Sequence, residues 1–215
     1  MPVVFDLKID AHTELAVWKI EESHDQLMAG LQLKQHELDI IDSFKSDKRA
    51  LQWLSTRLLL RTMLDTREYI DCQMDDQGKP YLVNYDYHIS LSHSYDYAAV
   101  MISRDPAKKV GLDMEMIKHK IKLVRHKFLS DVELAQKQIG DNINGLYVCW
   151  CAKEAIYKWH GRKELEFKRD IHIKPFKLRD DGELTAVVDL PQGQKELNVN
   201  YFKTDDGYML GYVIG

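Results

Sequence analysis

Hydrophobic positions along this chain repeat with two periods, and the switches between them lay out its elements. Alternation at Val3, Phe5, Leu7 and Ile9 predicts a first strand, and Leu15–Ile20 a second. Ser23 with Gln26 three residues on is a capping box for a short helix. Helices are predicted over 35–44 and 47–64; on the second, Trp53, Leu60 and Leu64 share a stripe with Arg57. Asp75-Asp76-Gln77-Gly78-Lys79-Pro80 is a turn, because Gly permits positive φ and Pro resists a helix. His88–Ser94 alternates strictly: Ile89 and Leu91 face one way, Ser90, Ser92 and Ser94 the other, with His93 on the apolar side by parity. Tyr95-Asp96-Tyr97 then turns the chain into Ala98–Ser103, completing a hairpin.

Arg104–Lys109 interrupts the pattern and divides the chain into lobes 1–105 and 106–215. Val110–Met116 reads as a strand with Val110, Leu112 and Met114 inward, so Asp113 and Glu115 project together from its other face. Ile117, Ile121, Val124 and Phe128 mark an amphipathic helix whose other faces carry Lys118, Lys120, Lys122, Arg125 and Lys127. Ser130 and Glu133 form a capping box for a helix ending at Gly140, which gives Glu133 a structural task. A run free of Gly and Pro, Leu146–Trp159, predicts a helix with Cys149, Ala152, Ile156 and Trp159 toward a core. Trp150, Glu154 and Lys158 share another face of it. Strands follow at 182–188, 196–202 and 208–214, the last two a hairpin through Thr204-Asp205-Asp206-Gly207 that echoes 88–103. The pattern predicts an α+β protein of two similar lobes, each helices packed on a small antiparallel sheet.

Composition narrows the function classes. A formal charge of −4 argues against a dedicated nucleic-acid binder, while leaving room for a local basic patch. Residues 1–12 lack a basic segment followed by an apolar core, and the longest leucine run is Leu58–Leu60, so neither a signal peptide nor a membrane span is predicted. Cys72, Cys149 and Cys151 make no even framework and lack zinc or redox spacing. The expectation is a soluble protein of a reducing cytoplasm.

Two carboxylates on one strand face, Asp113 and Glu115, repel unless water or a cation intervenes. Joined by Glu154 from the helix, they would suit a partly hydrated Mg²⁺ that also takes phosphate oxygens. Lys158, one turn along, would neutralise phosphate charge. Each feature has a plainer reading: Glu154 and Lys158 as a surface i,i+4 pair, Arg57 as a snorkelling or carboxylate-paired side chain, the lysine-rich helix as a solvated face. No Walker loop, Rossmann glycine pattern or zincin motif occurs.

Five segments in order, from Gly78 to Lys158, resemble the 4′-phosphopantetheinyl transferases, in particular the larger, surfactin-synthetase-activating type. They are Gly78-Lys79-Pro80; Ser90-Leu91-Ser92-His93-Ser94; Gly111-Leu112-Asp113-Met114-Glu115; Phe128 to Glu133, similar to F-(F/L)-S-x-x-E; and Trp150 to Lys158, similar to W-x-x-K-E-(A/S)-x-x-K. The resemblance implies two α+β lobes related by a pseudo-twofold, with a ligand cleft between them and a monomeric state. It implies transfer of 4′-phosphopantetheine from coenzyme A to a serine of an apo carrier protein, with release of 3′,5′-ADP. Asp113, Glu115 and Glu154 would hold Mg²⁺, Glu154 would take the serine's proton, and Lys158 would stabilise the phosphate. Lys79, Ser92 and His93 match coenzyme A contacts, and Arg49 and Arg57 lie on a helix that supplies basic residues to coenzyme A in relatives. Acidic carriers would dock on the Lys118–Lys127 helix. Two other classes fit less of the pattern: a non-catalytic coenzyme A- or carrier-binding module, and a different Mg-dependent phosphotransferase.

Overall fold

The computed structural model describes residues 3–215. The chain forms two compact units: one of residues up to Asp75 with Pro80–Pro106, the other of Asp76–Lys79 with Ala107–Gly215. Each is α+β with an antiparallel sheet, as the pattern predicts.

The first unit runs β1 (Val3–Lys8), β2 (Thr13–Lys19), α1 (His24–Ala29), α2 (Gln35–Asp42), α3 (Asp47–Leu64), β3 (Cys72–Met74), β4 (Pro80–Leu82), β5 (His88–Ser94) and β6 (Tyr97–Ser103). The order β1-β2-β6-β5 makes β6 a central strand, and every residue of it is buried. The Ser23–Gln26 capping box forms on both sides and opens α1. Leu54, Leu59 and Leu60 of α3 supply a large part of this unit's core. On β5 the three serines are buried while His93 is exposed, so the polar stripe, not the histidine, lies inside.

The second unit runs β7 (Val110–Met116), α4 (Ile121–Phe128), α5 (Asp131–Leu134), α6 (Ile143–His160), α7 (Phe167–Asp170), β8 (Ile171–Ile173), β9 (Asp181–Leu190), β10 (Gly193–Lys203) and β11 (Tyr208–Ile214). Its sheet order is β7-β11-β10-β9-β8. The Asn142 side chain accepts from Gly145 N–H to start α6, and Gly161 ends it at φ 72 in the left-handed region, a C-terminal stop that glycine tolerates without a Cβ penalty. Cys149, Ala152, Ile156 and Trp159 are all in the core, so the predicted buried face is the observed one.

Two predicted helices are shorter than expected. α4 begins at Ile121, not Ile117: the Ile117 amide donates to Gly207 O at 2.9 Å and Lys118 N–H to the Tyr147 hydroxyl at 3.1 Å, which ties this stretch to neighbouring elements. α5 stops at Leu134 instead of Gly140, and the chain proceeds through turn bonds such as Ile139 N–H to Gln136 O at 3.0 Å. In the other direction, β9 and β10 extend beyond the predicted strands into one long hairpin, and α7 and β8 carried no clear periodic signal. All three cysteines are buried and free. Among the described residues no helix is long and apolar enough to cross a membrane.

Candidate functional site

Two glycines seat α6 directly on the β7–β11 ladder. A Cβ on Gly111 would stand 1.9 Å from the Ala155 carbonyl oxygen and 2.7 Å from the Trp159 nitrogen. On β11, Gly211 pairs with Asp113, and a Cβ there would meet the Cys151 backbone at 3.1 Å. Because side chains alternate along a strand, Gly111, Asp113 and Glu115 share the face on which α6 lies. Asp113, flanked by one glycine and opposed by the other, is thereby enclosed at 5% exposure. Its carboxylate receives Lys158 Nζ at 2.8 Å.

Glu154, one turn before Lys158, completes the group. Its carboxyl is pushed from the usual 4.5 up to about 7, first by burial, then by Asp113 and more weakly by Glu115, with Lys158 opposing. Three carboxylates therefore share one electrostatic neighbourhood with one ammonium from the same helix. Among the described residues, no group of three or more His, Cys, Asp or Glu side chains stands arranged to hold a metal ion, so Asp113, Glu115 and Glu154 are not gathered into a formed metal site. The donor set nevertheless fits a hard divalent ion: the oxygens are carboxylate, Asp113 and Glu154 are withdrawn from bulk water, and negative charge exceeds positive. Beneath them the Cys151 thiol is driven well up by burial and then by Asp113 and Glu115; still protonated, it donates to Met209 O at 3.4 Å.

A second ionic group supports the helix from behind. Lys153 is wholly enclosed; its Nζ donates to Glu133 at 2.9 Å, to Phe167 O at 2.8 Å and to Ile171 O at 2.7 Å. Glu133 caps α5 as predicted, accepting from Ser130 N–H at 2.8 Å, and also accepts from Ile173 N–H at 2.9 Å. One ion pair thus joins α5, α6, α7 and β8. Burial lowers the Lys153 pKa and Glu133 raises it back in part. Lys153 was not among the predicted site residues. Its signal was readable: four residues after Cys149 and three before Ile156, it places a charge on the buried stripe.

Lys79 also belongs to this unit and donates to Trp159 O at 3.0 Å, at the C-terminal end of α6. The remaining predicted coenzyme A residues lie in the first unit. Arg49 is exposed, its guanidinium 5.5 Å from the Phe44 ring centroid. Arg57 is buried, with its guanidinium 4.5 Å from the Trp53 ring centroid, so it makes a cation–π contact instead of snorkelling to water. Ser92 is buried and His93 exposed on β5. Lys120 at the N-cap of α4 and Lys127 within it are exposed, and Leu123 between them is 76% exposed.

Residues 109–213, just under half the chain, match the family model of the 4′-phosphopantetheinyl transferase superfamily. The chain is 31% identical over 91 residues to a Haemophilus influenzae protein provisionally named a 4′-phosphopantetheinyl transferase, covering 40% of this chain and 38% of that protein. It is 27% identical over 112 residues to the 4′-phosphopantetheinyl transferase gsp of Aneurinibacillus migulanus, covering 51% of this chain and 46% of that protein. The matches thus span less than half the length of these curated relatives. They support a transferase of this superfamily, and the superfamily match contains the whole Asp113, Glu115, Glu154 and Lys158 group.

Proposed function

We propose that this chain is a 4′-phosphopantetheinyl transferase of the larger, surfactin-synthetase-activating type, acting on coenzyme A and an apo carrier protein with Mg²⁺. The observation that carries this reading is the enclosed carboxylate–lysine group under α6, which lies inside the segment similar to the superfamily. Asp113, Glu115 and Glu154 would hold the metal. When bound, Mg²⁺ supplies charge neutralisation on the pyrophosphate of coenzyme A.

In the proposed reaction the carrier serine gives its proton to Glu154, directly or through water. The serine oxygen bonds to the phosphorus that carries pantetheine. The bond from that phosphorus to the bridging oxygen breaks, and 3′,5′-ADP leaves with the electron pair. Lys158 meets the negative charge that builds on the phosphate oxygens. With a good leaving group, alignment and charge neutralisation do most of the catalysis. Lys79, Ser92, His93, Arg49 and Arg57 are the proposed coenzyme A contacts, and the basic surface of α4 the proposed dock for an acidic carrier.

The test is the intact mass of an apo acyl carrier protein after incubation with this protein, coenzyme A and Mg²⁺. A gain of one phosphopantetheine, lost with EDTA and with Glu154→Gln, is expected. Coenzyme A binding without transfer to any of several carriers would leave a binding module instead.

A further inference from the structure

Four glycines among the described residues have positive φ: Gly78, Gly161, Gly193 and Gly207. At three of them an added Cβ would meet nothing within 4 Å, so only their backbone conformation asks for glycine. Gly161 differs. A Cβ there would stand 2.3 Å from Lys79 Cδ, 3.2 Å from Cε and 3.0 Å from Nζ, so the lysine stem lies along the space the missing side chain leaves. Lys79 Nζ ends on Trp159 O, one of the last carbonyls of α6, where a cation is favoured by both an unsatisfied acceptor and the helix dipole. Positive charge is concentrated here: the neighbouring His160 imidazole is pushed down by burial and then by Lys109, Arg162 and Lys79, with Glu164 opposing.

We infer that Gly161 is a positioning residue for Lys79: the turn ending α6, free of a side chain, is the seat that fixes where the Lys79 ammonium is presented. The atoms a methyl group would meet belong to a flexible side chain, not to backbone. Alanine at 161 therefore moves Lys79 off its carbonyl, and its left-handed φ adds a backbone strain that Gly207→Ala shares. Loss of ligand binding is what sets Gly161 apart. This inference rests on the proposal that Lys79 contacts coenzyme A.

The experiment uses the full chain and coenzyme A itself, with Kd from calorimetry and Tm from thermal unfolding. The variants are Gly161→Ala, Lys79→Ala, the double variant, and Gly207→Ala as a control with the same backbone conformation and no neighbour. Gly161→Ala and Lys79→Ala are each expected to weaken coenzyme A binding about 10-fold, the loss of one charge-assisted contact, and the double variant no more than either. Gly207→Ala should lower Tm and leave Kd unchanged. Wild-type affinity in Gly161→Ala beside a weakened Lys79→Ala would overturn the seat and leave the functional reading standing. If wild type fails to bind coenzyme A, or Lys79→Ala binds as wild type does, the reading of Lys79 falls. The Tm values then decide the seat alone: non-additive effects at 161 and 79 uphold it, additive ones remove it.

Discussion

The carbonyl oxygen of Ala155 lies 1.9 Å from where a Cβ on Gly111 would be. Both groups are backbone-anchored, so neither yields by a change of rotamer. Alanine at 111 would lift α6 from β7, and with it Lys158 from Asp113. Gly111→Ala is therefore expected to cost about 3 kcal/mol or more, the upper range for overpacking. Urea unfolding reads this directly. An unfolding midpoint near wild type would mean that α6 is not seated on the strand as described.

The Lys153–Glu133 pair invites a sharper test because the cost of a buried pair lies in breaking it one-sidedly. Lys153→Met leaves a carboxylate at 3% side-chain exposure without its cation and should lose about 3–5 kcal/mol. Adding Glu133→Gln removes the stranded charge, so the double variant should recover part of that loss. A double variant less stable than Lys153→Met alone would show that the hydrogen bonds of Glu133 to Ser130 and Ile173 outweigh its charge.

Glu154 gives a pH dependence whose sign follows from its raised pKa. In the folded protein without metal the group binds its proton up to about pH 7, whereas the unfolded chain releases it near the usual 4.5. Between these values the folded state holds more protons, so this residue lowers stability as pH rises through the window. The penalty is absent below it and complete above it. In EDTA, Glu154→Gln should raise stability at pH 8, by on the order of 1–3 kcal/mol after allowing for partial exposure, and by almost nothing at pH 4. Equal gains at both pH values would rule out this electrostatic origin.

Much of this arrangement was legible in the chain because the relevant periods are local. Asp113 and Glu115 sit two apart on a strand whose bounds the alternation gave, and Glu154 and Lys158 four apart on a helix bounded by Asn142 and Gly161. What the chain did not disclose is set by packing between distant segments. Lys158 resting on Asp113, Lys79 on Trp159 O, and Gly111 under Ala155 each join residues with no periodic relation. Ile117 shows the converse: its spacing to Ile121 suits a helix, yet its amide is committed to Gly207 across the sheet. Tertiary hydrogen bonding overrode a local pattern there, as it did beyond Leu134.

The surface of α4 yields a prediction that separates encounter from chemistry. Lys120 and Lys127 are exposed beside Leu123, while Arg125 is engaged by Gly140 O at 3.0 Å and by Asp141, so the two lysines and Leu123 form an exposed stripe open to a partner. Long-range attraction between such lysines and an acidic carrier acts on the association rate and fades within a Debye length, roughly 8 Å at physiological ionic strength. Reversing Lys120 and Lys127 to Glu should therefore lower kcat/KM for an acidic carrier by about 10-fold or more at low salt and much less at high salt. KM for coenzyme A should not change, because neither lysine is among its proposed contacts. Leu123→Ala should lower kcat/KM for the carrier by a smaller factor that persists in salt, since apolar burial is not screened. Charge reversal without effect on carrier kinetics at any ionic strength would return this helix to an ordinary solvated face.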